Sequence, residues 1–223
     1  MPRVEWVDSQ PTVPVSSIKP RIHNVFLLDT SPSMNDWGKF NNAELALRNQ
    51  IDELRLSVEV DYTFSIFQFA EGDNLMRFIY LKQDGKVVPD FHRPKRGFTG
   101  LNDAIGISIK TFIDDNTIGS DQVVFKIFTD GGENASKQYT TRDASNMIQD
   151  AQSRNWVVTF LGTEADTRTA INLYGINSSN IIVHNNTAED VKRVITTDTQ
   201  ATVNYAKRIV TGDTRNTSFY DNQ

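Results

Sequence analysis

The stretch Val25-Phe26-Leu27-Leu28-Asp29-Thr30-Ser31-Pro32-Ser33-Met34 decides how the rest of the chain is read. The apolar run Val25 to Leu28 has the composition of a buried parallel strand, and it stops at a carboxylate. Ser31 and Ser33 follow on alternate positions. Pro32 between them stops the strand and sets φ, so the stretch predicts a tight loop at a strand's carboxyl end. In open α/β sheets that is where ligands bind. An Asp and two serines on such a loop present oxygens only, a donor set that suits a hard cation such as Mg²⁺ rather than zinc.

Two further stretches can complete such a set. Val123-Val124-Phe125-Lys126-Ile127-Phe128-Thr129-Asp130-Gly131-Gly132 repeats the design: an apolar strand, a terminal Asp, and glycines that turn the backbone. Between the two lies Gly97-Phe98-Thr99-Gly100-Leu101-Asn102-Asp103-Ala104-Ile105, a glycine-flanked Thr at the entrance to a helix. Alone, each piece reads as readily as a turn, because Asp and Ser are common turn formers. All three in this order and strand context make a stronger signal.

Taken together, LLDTSPSM, GFTGLNDAI and FTDGGEN resemble the motifs of the von Willebrand factor A (vWA) family, whose metal-ion-dependent adhesion site is written D-x-S-x-S, then T, then D. The resemblance covers Arg21 to about Lys207. It implies that Asp29, Ser31, Ser33, Thr99 and Asp130 are the metal-site residues. It further implies that Mg²⁺ is the ion, with Mn²⁺ or Ca²⁺ as alternatives, and that a protein partner's Asp or Glu carboxylate completes the shell. The implied fold is α/β, a doubly wound, mostly parallel six-stranded sheet with helices on both faces and one antiparallel edge strand. Its strand order, 3-2-1-4-5-6, sets the strands ending in Asp29 and Asp130 side by side. Pro32 departs from the small residue usual between the two serines; it removes one N–H and stiffens the loop. Among intracellular relatives the chain looks most like small bacterial and phage tellurite-resistance and stress-associated vWA proteins. The resemblance implies a metal-dependent protein-binding module, not an enzyme, in a bacterial or phage stress, defence or assembly context.

Composition sets the outer limits. A chain of 223 residues with 38% hydrophobic content can bury one good core and is short for two domains. A net charge of −5 argues against a general nucleic-acid binder. With no cysteine, neither a disulfide scaffold nor a thiolate metal site is available. No apolar run approaches the ~20 residues of a membrane span. Residues 1–20, with four prolines, read as an extended arm rather than a signal peptide. Residues 21–208 read as the vWA domain, and 209–223 as a polar, flexible tail. Without a secretion signal the Asn-x-Ser/Thr triplets at Asn134, Asn177, Asn185 and Asn216 read as chance, and the chain as cytoplasmic. The sequence leaves the oligomeric state open.

Along the chain, Asn41 or Asn42 can cap a helix whose buried positions are Leu45, Leu47, Ile51, Leu54 and Leu56. Residues 60–70 and Leu75 to Leu81 read as strands, the latter closed by an Asp84-Gly85 turn before Val87-Val88. Helices are expected over Leu101 to Ile113, about Thr141 to Ser153, and Thr167 to Tyr174. Strands are expected at Trp156 to Leu161 and Ile181 to Val183. A last helix starts after the cap Thr187 and continues to about Arg208 past a threonine-rich weak spot.

Around the site, Asp103 reads as a charge on a helix dipole rather than a ligand. His92, Arg93, Lys95 and Arg96 read as a solvated loop, or else as a group that steers an acidic partner. His23 and His184 have no evident role. For Trp37 and Phe98 local packing and partner contact stay equally open. Two other functions fit in outline. A haloacid-dehalogenase-like phosphoryl-transfer enzyme also places an Asp after an apolar strand, but Ser31 stands where its second, acid/base Asp is needed. A metal-free structural subunit could retain the loops as scaffold.

Overall fold

The protein is described here by a computed structural model covering residues 19–70, 77–81, 90–93, 97–115, 121–213 and 218–220. The arm through residue 18, the Asp84-Gly85 turn with Val87-Val88, Lys95 and Arg96, and residues 214–217 and 221–223 of the tail lie outside these residues.

Among the described residues six strands form one sheet: β1 (Arg21–Asp29), β2 (Asp61–Phe69), β3 (Arg77–Leu81), β4 (Gln122–Phe128), β5 (Val157–Gly162) and β6 (Ile181–Val183). Their order is β3-β2-β1-β4-β5-β6. All neighbouring pairs are parallel except β2 with β3, which is antiparallel. The central strand β1 is buried on every residue after Arg21, as a parallel strand covered on both faces must be. Five helices cover the sheet: α1 (Lys39–Arg55), α2 (Leu101–Asp115), α3 (Thr141–Ser153), α4 (Glu164–Asn172) and α5 (Ala188–Val210).

The two faces carry separate cores. Phe26 and Leu28 of β1 join Leu47, Ile51, Val191 and Val194 under α1 and α5. Val25 and Leu27, pointing the other way, join Ile105, Ile109, Ile148 and Ala170 under α2, α3 and α4. At ~25 cal/mol per Å² of apolar area removed from water, these two layers supply most of the drive for folding.

The first helix differs from the sequence reading. It begins at Lys39 rather than after Asn41 or Asn42, and its N-cap is Gly38, with φ 75° and no side-chain cap. Its buried face runs through Phe40, Ala43, Leu47, Gln50 and Ile51, while Leu45 is 50% exposed and Leu56 lies at the exposed C-cap. Leu45 and Leu47 sit two residues, or about 200°, apart on a helix, so they cannot share one face. The expected stripe mixed two phases.

α3 and α4 begin with capping boxes. Thr140 and Asp143, then Thr163 and Asp166, exchange side-chain and backbone hydrogen bonds. The second box sets the start of α4 at Glu164, earlier than Thr167. α5 runs unbroken through its threonines. Thr196, Thr199 and Thr202 return their hydroxyls to the carbonyls four residues back, which satisfies them inside the helix.

Candidate metal centre

The register that pairs Leu28 with Phe128 puts Asp29 beside Thr129, with Asp130 one residue beyond. Both carboxylates therefore emerge at the carboxyl ends of adjacent strands. There the connections diverge, the β1 loop turning into α1 and the β4 loop running towards α3.

From Asp29 the chain enters a 3-10 segment, Pro32–Gly38, with Pro32 at its first turn, where a missing N–H costs nothing. Thr30 donates both its N–H and its hydroxyl to the Phe69 carbonyl, at 2.7 and 2.8 Å, tying the loop to β2. Ser31 N–H donates to Asp29 Oδ1 at 2.7 Å. Ser33 Oγ lies 3.0 Å from Ser31 Oγ and donates to Asp130 Oδ1 at 2.6 Å. A hydroxyl has one proton, so Ser33 must accept from Ser31, and the direction runs Ser31 to Ser33 to Asp130.

Thr99 reaches the same place through two anchors. Gly100 N–H donates to the Ala70 carbonyl at 2.9 Å. Asn134 clasps the Thr99 backbone, accepting from its N–H at 2.8 Å and donating to its carbonyl at 3.0 Å. A Cβ on Gly131 would stand 3.6 Å from Thr99 Oγ1, so the hydroxyl lies against the residue after Asp130. It makes no hydrogen bond with the described residues. The five expected residues are thus brought to one place, and all but the half-buried Ser33 are buried.

Thr129 and Lys39, which the sequence reading did not single out, and His184, for which it found no role, complete this arrangement. Thr129 Oγ1 donates to Asp29 Oδ2 at 2.6 Å. Lys39, only 2% exposed, donates its ammonium to Asp130 Oδ2 and, at 2.9 Å, to Asn186 Oδ1. His184 has partners after all: its ring stacks on Phe128, Nε2 lies 3.2 Å from the Thr129 carbonyl, and Nδ1 accepts from Asn186 N–H at 3.1 Å. The Thr before Asp130 was visible in the motif. Nothing in a pattern of spacings marks Lys39, the first residue of α1.

Burial pushes the Asp29 carboxyl up to about 7, and the neighbouring Asp130 adds to the rise; hydrogen bonds from Thr129 and Ser31 hold it down. Burial lowers the His184 imidazole, against the upward pull of the Thr129 carbonyl and Asp130.

Asp103 stands in the first turn of α2, as expected, and does more than favour the helix dipole. Its buried carboxylate accepts from the N–H groups of Lys137, Gln138 and Tyr139, at 2.8 to 2.9 Å, and pins the loop that carries Asn134. The His92-Arg93 segment is fastened to β2, where Gln68 bonds both backbone groups of His92. Local packing is not the role of the aromatic residues. Trp37 is 89% exposed and Phe98 59%. Trp37 also holds φ at 55°, unusual for a bulky residue.

A divalent ion fits this donor set chemically. Two carboxylates and three hydroxyls match a hard cation's preference for oxygen. Lys39 shows that the pair of carboxylates already takes a positive charge from within the chain, and the Thr99 hydroxyl is uncommitted. Among the described residues no cluster of three or more His, Cys, Asp or Glu could hold a metal.

No family model and no curated protein matches the sequence. Solved structures do. The open conformation of the pilus adhesin SpaC from Lactobacillus rhamnosus GG aligns with a TM-score of 0.62 at 14% identity, over 88% of this chain and 30% of that one. Manganese-loaded TRAP from Plasmodium vivax aligns at 0.54 and 14% identity, over 78% and 72%. The ArnB paralog VWA2 from Sulfolobus acidocaldarius aligns at 0.52 and 19% identity, over 79% and 44%. The fold is vWA-like. The chain spans under a third of the length of SpaC and under half that of VWA2. Among the described residues no helix is long and apolar enough to cross a membrane.

Proposed function

We propose that this chain is a metal-dependent protein-binding module in which Asp29, Ser31, Ser33, Thr99 and Asp130 hold one divalent cation, Mg²⁺ or Mn²⁺, and a partner's Asp or Glu completes the coordination. The observation that carries the reading is the line of oxygens from Asp29 through Ser31 and Ser33 to Asp130, with Thr99 beside it, at the divergence of the β1 and β4 connections. Support comes also from the rim. Trp37 is held exposed in a left-handed conformation, and a strained, solvated tryptophan is better explained by a contact outside the chain than by one within it. The pilus adhesin and the manganese-loaded TRAP protein, which share the fold, point the same way.

In this reading the bound ion supplies an electrophilic position for a hard anionic oxygen. The chain's own residues do the remainder: Thr129 and the Ser31 N–H orient Asp29, Asn134 holds Thr99 in place, and Trp37 and Phe98 exclude water around an incoming acidic side chain. The test is a Mn²⁺ titration followed by tryptophan fluorescence, with Trp37→Phe to assign the signal, and then partner capture in Mg²⁺ buffer with release by EDTA. Thr99→Ala should weaken capture while leaving the fold intact. A complex indifferent to EDTA and to amidation of the partner's contacting acid would overturn the reading.

A further inference from the structure

Among the described residues the Lys39 ammonium is the cation bonded directly to one of the two acids, Asp130. It is the first residue of α1, swung inward by two successive left-handed residues, Trp37 and Gly38. It is also held from the far side by Asn186, itself at φ 60° and fixed by His184. Two separate segments, the Trp37-Gly38 turn and residues 184–186, thus place one ammonium on Asp130, and at 2% exposure it has no solvent to turn to. A surface lysine drawn in by chance would not find a second, built acceptor.

Its consequence follows from charge. With Asp29 and Asp130 ionised and Lys39 positive, the set carries −1. A divalent ion takes it to +1, which is unfavourable in a buried place; one added carboxylate returns it to zero. Without the lysine the count runs from −2 to zero on the metal alone, and the carboxylate would then overshoot to −1. Resting on the metal-site reading above, we propose that Lys39 is a fixed internal cation that weakens binding of the metal by itself and makes it depend on a partner carboxylate. Lys39 thereby determines that the site selects metal and acid together. By linkage the metal strengthens carboxylate binding by the same factor as the carboxylate strengthens metal binding.

The experiment measures Mn²⁺ affinity by the spin-resonance signal of the free ion, with and without acetate as the carboxylate probe. It compares the wild type with Lys39→Met, Lys39→Gln and Asp29→Asn. Acetate should tighten Mn²⁺ binding to the wild type. Both Lys39 variants should bind Mn²⁺ alone about tenfold or more tightly, from the removal of one close positive charge, and should respond little to acetate. Lys39→Gln keeps an amide donor for Asp130, so it remains informative if Lys39→Met melts early. Equal or weaker Mn²⁺ binding by both variants, or an acetate effect as large as the wild type's, overturns the inference. If Asp29→Asn then still loses Mn²⁺, only the role of Lys39 is lost. If Asp29→Asn binds like the wild type, the metal site itself is wrong.

Discussion

Asp29 is a carboxylate that the chain must desolvate yet cannot leave unpartnered. Its oxygens accept from Thr129 and Ser31, and these two donors are buried with it. Asp29→Asn keeps an acceptor for one of them and removes the charge that burial and Asp130 oppose. In the absence of metal it should melt higher than the wild type. Asp29→Ala strands both donors, at about 1–3 kcal/mol each, and should melt lower. Both should lose Mn²⁺ binding, read by calorimetry. His23 gives a second prediction. Buried between Thr63 and Ser65 and edge-on to Phe112, its imidazole is pushed down to about 4 by desolvation. The unfolded chain takes up a proton near 6.5 that the folded one refuses until about 4. Stability is therefore lost as pH falls through that window, by about 3 kcal/mol in all. His23→Gln should flatten the fall, in urea melts at pH 7 and pH 4.5 compared with the wild type. At this scale the sequence pointed to the five oxygen-bearing residues that the fold brings together, because each lies in a local motif. It gave no role to Lys39, Thr129 or His184, because what they touch is set by the meeting of distant loops.

Elements were legible where the pattern is local and less so where a single turn resets the phase. β1, β4 and α3 could be located from apolar runs and spacing alone. α1 was located as well, with Leu47, Ile51 and Leu54 buried as expected, but the left-handed pair Trp37-Gly38 starts it earlier, at Lys39, and Leu45 and Leu56 are exposed. The weak spot expected in α5 does not exist, since its threonines bond inside the helix. At this scale Gly106 of α2 is the residue to change. A Cβ there would stand 2.5 Å from Tyr139 Cγ, so the tyrosine ring lies directly over the helix backbone. The ring belongs to the loop that Asp103 pins and that carries Asn134, the clasp of Thr99. Gly106→Ala should cost about 1–3 kcal/mol from the forced displacement. It should also weaken Mn²⁺ binding, although no ligand is touched. Combining it with Tyr139→Ala should recover part of the stability, a non-additivity visible in thermal melts.

Across the whole molecule, a buried ion pair ties the site's two sides together one layer beneath it. Lys126 stands in the middle of β4, four residues before Asp130, or about 13 Å along a strand. Its ammonium bonds Asp198 Oδ2 at 2.5 Å and Thr202 Oγ1 at 2.6 Å, both on α5, and lies 4.9 Å from the centre of the Phe26 ring. Gln50 of α1 donates to the same Asp198 oxygen at 2.8 Å, and Tyr220 to the other at 2.8 Å. One carboxylate thus joins the strand that carries Asp130, the helix that starts with Lys39, and the C-terminal segment. Burial lowers the Lys126 ammonium and Asp198 draws it back up, so the charge depends on its partner. A lysine inside an apolar central strand was visible in the sequence, but its counter-ion, 72 residues on, was not. Removing that partner should be costly even though the pair itself adds little net stability. Asp198→Asn keeps an acceptor for Gln50 or Tyr220 but strands the ammonium, and should cost about 3–5 kcal/mol in urea denaturation. Lys126→Met alone leaves a carboxylate still served by Gln50 and Tyr220, and should cost less. Joined in one chain, the two substitutions leave neither charge of this pair, and the double variant should be more stable than Asp198→Asn alone. A double variant no more stable than that single one would mean that Asp198 acts through its hydrogen bonds to α1 and the C-terminal segment, and that its charge is incidental.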